Sequence, residues 1–319
     1  MMDQMQYILE CRKNILETYA LTVVREFDTR IKENGAKDVT ECLRRDGQRV
    51  ILRIGEARPS TFFPDGFIGR TIRIPKVYER GMMPMLFEIE ERIDGQMYAD
   101  RAVEGVEEGK IRPEILRELL AAFWEFQEIG KSVNLEHIDV TEKIEKHFLR
   151  ARELILEADR VQKCMHDHAD FWRGAYPSKW KFALDNLLWT IDGKVAFIDS
   201  ARVGLRYVGY DLGWIIWPRW LQMETDQYKD VEAQMRYLED VLRIVMKTRP
   251  VHLPFEGNLE QSFWLMILER AIGALFDVAN ETKHLVGANL GSGAEARRRD
   301  AHVFFLNRIC SASMDRIEM

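Results

Sequence analysis

The chain has little of what marks several protein classes. It contains only four cysteines, Cys11, Cys42, Cys164 and Cys310, far apart and with no CxxC pair. That excludes a disulfide scaffold and the common zinc motifs, and predicts free thiols in a reducing cytoplasm. Positive charge is not in excess: 46 Lys and Arg stand against 52 Asp and Glu, for a formal net charge of −6. The overall field therefore does not draw the chain to nucleic acid or to an anionic membrane, and neither is expected as a partner. No apolar run approaches the roughly 18 residues of a membrane-spanning helix. The most apolar stretch, near 263–279, is interrupted by Glu269, Arg270 and Asp277. The opening stretch MMDQMQYILECRKNILE is charged throughout, unlike a secretory signal. The expectation is a soluble cytoplasmic protein.

What the chain does have is globular material. Its 319 residues are 46% hydrophobic and 31% charged, enough for a substantial core and a length suited to about two units. The first hundred residues read mostly as strands. A short amphipathic helix over about 4–18 precedes strand-like segments at 22–30, 38–44 and 49–54, separated by turns around Asn34-Gly35 and Asp46-Gly47. Residues 55–70, rich in Gly and Pro, read as loop. Two more strands are expected at 72–78 and 85–90, before a turn at Asp94-Gly95.

Helices dominate from Pro113, which stands where a helix would start. Ile115, Leu116, Leu119, Leu120 and Phe123 then form an apolar stripe. Asp139 and Glu142 suggest a capping box for a helix reaching about 163, and further helices are expected near 225–248, 259–284 and 294–313. The layout predicts an N-terminal β-rich lobe over 1–95 and a helical lobe over 96–319 that carries one hairpin.

That hairpin, residues 186–199 (NLLWTIDGKVAFID), is the most informative segment. A two-residue Asp192-Gly193 turn would place Asn186 directly opposite Asp199, with Cβ atoms about 4.5–5.5 Å apart. An amide oxygen and a carboxylate together suit a hard cation such as Mg²⁺. Polar residues also commonly begin and end strands, so the hairpin alone leaves the plainer reading open.

The order of elements adds weight. The run 179–212 (KWKFALDNLLWTIDGKVAFIDSARVGLRYVGYDL) resembles the HGDxxxxNxLxxxxGxxxxxIDxxxxxxGxxxYDL pattern of the aminoglycoside phosphotransferase and choline kinase-like family. Arg73-Ile-Pro-Lys-Val77 and the strand from Met85 to Gly95 resemble further elements of that family. The resemblance implies an α+β, protein-kinase-like two-lobe fold with a small antiparallel N-lobe and a larger, mainly helical C-lobe. It implies Mg²⁺ at Asn186 and Asp199, ATP phosphates at Arg53, and adenine along the backbone of Glu88, Ile89 and Glu90. It also implies a small hydroxylated metabolite as the phosphoryl acceptor.

The chain departs from the family pattern at the catalytic loop. The carboxylate that accepts or orients the acceptor proton is replaced by Lys181, which has donors and no acceptor while charged. Lys181 would instead neutralise charge on the transferring group. Asp185 precedes Asn186 immediately, so in a strand it would point to the other face. Arg53 replaces the strand-three lysine, no glutamate partner stands in 57–72, and no glycine-rich phosphate loop is present. These departures leave two readings, an atypical phosphotransferase and a pseudokinase that binds nucleotide or serves as a scaffold. Elsewhere, His166, His168 and Asp170 read as a solvated helix end, Arg297–Arg299 as a solvated helix face, and Trp214, Trp217 and Trp220 as core.

Overall fold

The computed structural model describes residues 4–32, 35–55, 66–103, 110–179, 182–198, 203–221, 230–253, 258–280 and 292–319. Its contacts divide the chain into two units, Met1–Tyr98 with Asp185–Val203, and Ala99–Leu184 with Gly204–Met319.

The first unit begins with α1 (Gln4–Thr18), followed by β1 (Thr22–Lys32), β2 (Gly35–Leu43), β3 (Arg49–Ile54), β4 (Ile72–Arg73), β5 (Val77–Gly81), β6 (Phe87–Glu91) and β7 (Gly95–Met97). Five of these strands form a sheet in the order β1-β2-β3-β6-β5, antiparallel throughout. Alternation fixes its two faces. Val50, Leu52 and Ile54 of β3 pack with Phe87 and Ile89 of β6, Cys42 of β2, and Ile8 and Ile15 of α1. Burying each such aliphatic side chain contributes about 1.5–3 kcal/mol before entropy is counted. Asp38 shares that face but is fully buried; it accepts from Arg12 Nη1 at 3.2 Å and from Thr40 Oγ1 at 3.0 Å, which offsets the cost of its burial. The intervening residues Arg49, Ile51 and Arg53 lie on the opposite face.

The single strand expected at 72–78 is two strands. Pro75 has no N–H to continue a ladder, and the chain changes sheets there. β4 leaves for a second sheet, ordered β4-β10-β9-β7, whose hairpin partners are β9 (Leu187–Thr190) and β10 (Val195–Phe197). The boundary expected at residue 95 gave the hairpin to the helical lobe. Its strand neighbours β4 and β7 instead draw residues 185–203 into the first unit.

The second unit contains α2 (Tyr98–Val103, which starts one residue earlier), α3 (Pro113–Gly130), α4 (Thr141–Ala151), α5 (Ala158–Asp167) and α6 (Ala169–Trp172). It continues with β8 (Tyr176–Ser178), β11 (Gly204–Arg206), α7 (Tyr210–Leu221), α8 (Val231–Thr248), α9 (Leu259–Ala279) and α10 (Ser292–Glu318). α9 packs against α4, α7, α8 and α10 and is buried nearly all round, as a helix apolar on every side must be. Its Glu269 is buried with Arg270 as direct partner, and accepts from the Tyr207 hydroxyl at 3.2 Å. Asp230 caps α8 by accepting from Ala233 N at 2.9 Å, and Asn258 caps α9 by accepting from Glu260 N at 3.0 Å.

The long helix expected from Asp139 to about 163 is interrupted. The cause is tertiary. Asn307 of α10 accepts from Leu156 N and donates to Leu154 O, both at 2.8 Å, and so pairs the two peptide groups that the break between α4 and α5 leaves over. Asp139 accepts from Thr141 N at 2.8 Å without completing a capping box. The expected helix near 225–248 starts at Val231, and residues 222–229 lie outside the described set. Among the described residues, no helix is long and apolar enough to cross a membrane.

Candidate nucleotide and metal site

The hairpin forms, with a different turn from the one expected. Gly193 N–H donates to Thr190 O at 3.0 Å, Thr190 N–H donates to Lys194 O at 2.9 Å, and Gly193 has φ +75°. A two-residue turn of the expected kind needs positive φ at both central positions, and Asp192 does not adopt it. The loop therefore takes three residues, Ile191 to Gly193, with the glycine in the left-handed position. One extra loop residue slips the ladder by one. Leu187 faces Phe197, Trp189 faces Val195, and Ile198 N–H donates to Asn186 O at 3.2 Å. The expectation that Asn186 lies opposite Asp199 is thus corrected: Asn186 faces Ile198. Asn186 is half-buried at the end of a 3-10 turn, Leu184–Asn186, just before β9, and Asp185 beside it is exposed. Asn186 keeps an amide oxygen suited to a hard cation. Asp199, the other expected Mg²⁺ ligand, lies outside the described residues, as does Lys181.

Arg53 stands on the sheet face turned away from α1. Its Nε donates to Glu90 Oε1 at 2.6 Å, with side chains 13% and 4% exposed. Glu90 stands on β6. Sequence reading missed this because Arg53 and Glu90 are 37 residues apart, and only the sheet order brings them together. Glu88, on the same face, accepts from Arg80 Nε at 2.8 Å.

The adenine position expected at Glu88, Ile89 and Glu90 also needs correction. β6 is an interior strand: Glu88 pairs with Arg53 and Arg80, Ile89 with Leu52 and Glu79, Glu90 with Ile51 and Val77. Their backbone groups are committed to the ladders on both sides, which leaves a purine edge nothing to bond there. Glu91 N–H donates to Lys76 O at 2.7 Å, and the chain leaves the ladder only at residues 92–94.

In the second unit, the start of the loop that runs to Asn186 is held by Asp211, in the first turn of α7. Asp211 accepts from Lys179 N at 2.7 Å and from Ser178 Oγ at 3.1 Å. Burial pushes its carboxyl up, against the opposing pull of the Lys179 N–H and the Arg206 guanidinium. Arg206 Nη1 also donates to Ser178 Oγ at 3.1 Å, and β8 pairs with β11 through Ser178 and Gly204. Near the end of α5, His168 Nδ1 lies 2.9 Å from Cys164 O, a helix-terminal contact. Among the described residues, no group of three or more His, Cys, Asp or Glu could hold a metal ion. Trp214 stacks under Arg270, whose guanidinium carbon lies 4.6 Å from the ring centroid.

No protein-family model matches the chain, and no curated protein matches it by sequence. Solved structures match it by backbone. The crystal structure of aminoglycoside phosphotransferase APH(4)-Ia superposes with a TM-score of 0.52 at 14% identity, covering 97% of this chain and 99% of that one. The fold is that of the kinase-like phosphotransferases. The apo form of a thermostable APH(4)-Ia mutant agrees, at a TM-score of 0.51 and 13% identity over 95% of this chain and 98% of that one. The two-lobe α+β expectation therefore holds, and at 13–14% identity the likeness is one of fold.

Proposed function

We propose that this protein binds Mg-ATP through its phosphotransferase fold and transfers phosphate to a small hydroxylated metabolite with an atypical catalytic loop. The observation that carries the reading is the buried Asp211. It accepts from Lys179 N and Ser178 Oγ, and so fixes the residues that precede Asn186 in the chain. Asn186 and Asp199 would hold Mg²⁺, Arg53 would hold the phosphates, and the backbone of residues 92–94 would meet the base. Bound Mg²⁺ would neutralise phosphate charge. Phosphoryl transfer depends mainly on positioning and charge neutralisation, so a loop without a carboxylate base can still support it, slowly. Lys181 would contribute one positive charge and accept no proton. The name of APH(4)-Ia supports this class of reaction.

A second reading, a pseudokinase that binds nucleotide without transfer, is favoured by Lys181 itself. Melting curves with ATP, with and without Mg²⁺, test nucleotide binding. A shift that requires Mg²⁺ and disappears in Asp199→Asn supports the reading, and no shift with either ligand sinks it. Turnover against a panel of hydroxylated metabolites then separates the two. Activity in the wild type marks an enzyme, whichever way Lys181→Asp moves it; none in either marks a pseudokinase.

A further inference from the structure

We propose that Glu90 is the positioning residue for the phosphate-binding cation Arg53, doing from a strand what a helix-borne glutamate does in protein kinases. The proposal rests on the nucleotide-binding reading above. In the β3–β6 ladder Leu52 faces Ile89, so Arg53 and Glu90 lie on one face, a diagonal step apart, within reach of long side chains. Glu90 Oε1 takes the Nε–H of Arg53 at 2.6 Å. Engaging Nε fixes the plane of the guanidinium. Its Nη edge is the part of the fork whose geometry matches two oxygens of a phosphate.

The neighbouring acids on this face have arginines of their own. Glu88 holds Arg80 at 2.7 Å, and Glu41 holds Arg49 at 3.2 Å and Arg92 at 2.8 Å. Glu90 likewise holds Arg53, within a row of ion pairs. Both partners are largely withdrawn from water, where the attraction is stronger than at a surface. β6 is also pinned on both edges, to β3 and to β5. A glutamate on a mobile helix can be withdrawn to switch a kinase off; one on a doubly paired strand cannot. The grip on phosphate is built into the sheet.

Calorimetric titration of the full chain with Mg-ATP and with adenosine separates positioning from a merely structural role. Loss of positioning removes the contribution of the phosphates and leaves that of the base. Glu90→Gln keeps an acceptor oxygen but removes the charge that strengthens the bond to Arg53, and is expected to weaken Mg-ATP binding by about tenfold, with adenosine affinity unchanged. The exchange Arg53→Glu with Glu90→Arg keeps an ion pair but moves the cation across the sheet. It is expected to melt near the wild type and to lose the preference for Mg-ATP over adenosine. The proposal is overturned if Glu90→Gln changes both affinities equally or neither, or if the exchange variant binds Mg-ATP as the wild type does. Should Glu90→Gln not fold, the exchange variant decides alone. A wild type that binds adenosine but not Mg-ATP, or neither, overturns the nucleotide reading and this proposal with it.

Discussion

Asp211 has an effect on stability with a definite sign. Its carboxyl is raised above the ordinary 3.8 by burial, so the folded state holds that proton more tightly than the unfolded chain does. Stability from this group is therefore fully present at low pH and is lost as pH rises from about 4 through the folded value. Asp211→Asn keeps an acceptor oxygen and carries no charge. The melting temperature of Asp211→Asn relative to wild type should increase as pH rises above about 4 and level off once the folded value is passed. A difference that is flat in pH would mean the carboxyl is not raised. Asp211 itself was legible in the sequence through the Tyr-Asp-Leu element. The pairing of Glu90 with Arg53 was not, because it depends on which strand lies beside β3, and nothing local to either segment states that.

The elements were legible wherever one local signal decided them, and less so where distant residues intervened. Strands β1 to β3 and helices α1 and α3 follow alternation, turns and Pro113. The break between α4 and α5 does not, since the local periodicity runs on and Asn307, some 150 residues away, supplies the hydrogen bonds that permit it. Asn307→Ala would strand two backbone groups, at a cost of about 1–3 kcal/mol, measurable by urea unfolding. The hairpin register turned on one dihedral angle. A side chain at Gly193 would meet only Trp189, at 3.8 Å, so Gly193→Ala tests backbone conformation with little steric interference. It should cost about 1–2 kcal/mol, the penalty of a left-handed alanine. A neutral result in the same unfolding experiment would mean that residue 193 does not hold the left-handed conformation.

Across the whole molecule, the −6 net charge suggested nothing of the ordered ion pairs on one face of the five-stranded sheet. The kinase-like architecture was legible because the order of elements matches that fold even where individual motif residues differ. The division of the chain was harder to read: the first unit is completed by residues 185–203, which are distant in sequence but bound through β4 and β7. The four cysteines give the two units separate reporters. Cys11 and Cys42 lie in the first, Cys164 and Cys310 in the second, and all four are buried. Burial pushes their thiols up, to about 12 for Cys42 and Cys310 and about 11 for Cys164. Since the thiolate is the reactive form, alkylation of the folded protein should be slow at every site. Each cysteine can then serve as a clock, marked only when its own neighbourhood opens. Under rising urea, the sequence in which the four acquire label by mass spectrometry would reveal whether the units open together or one before the other.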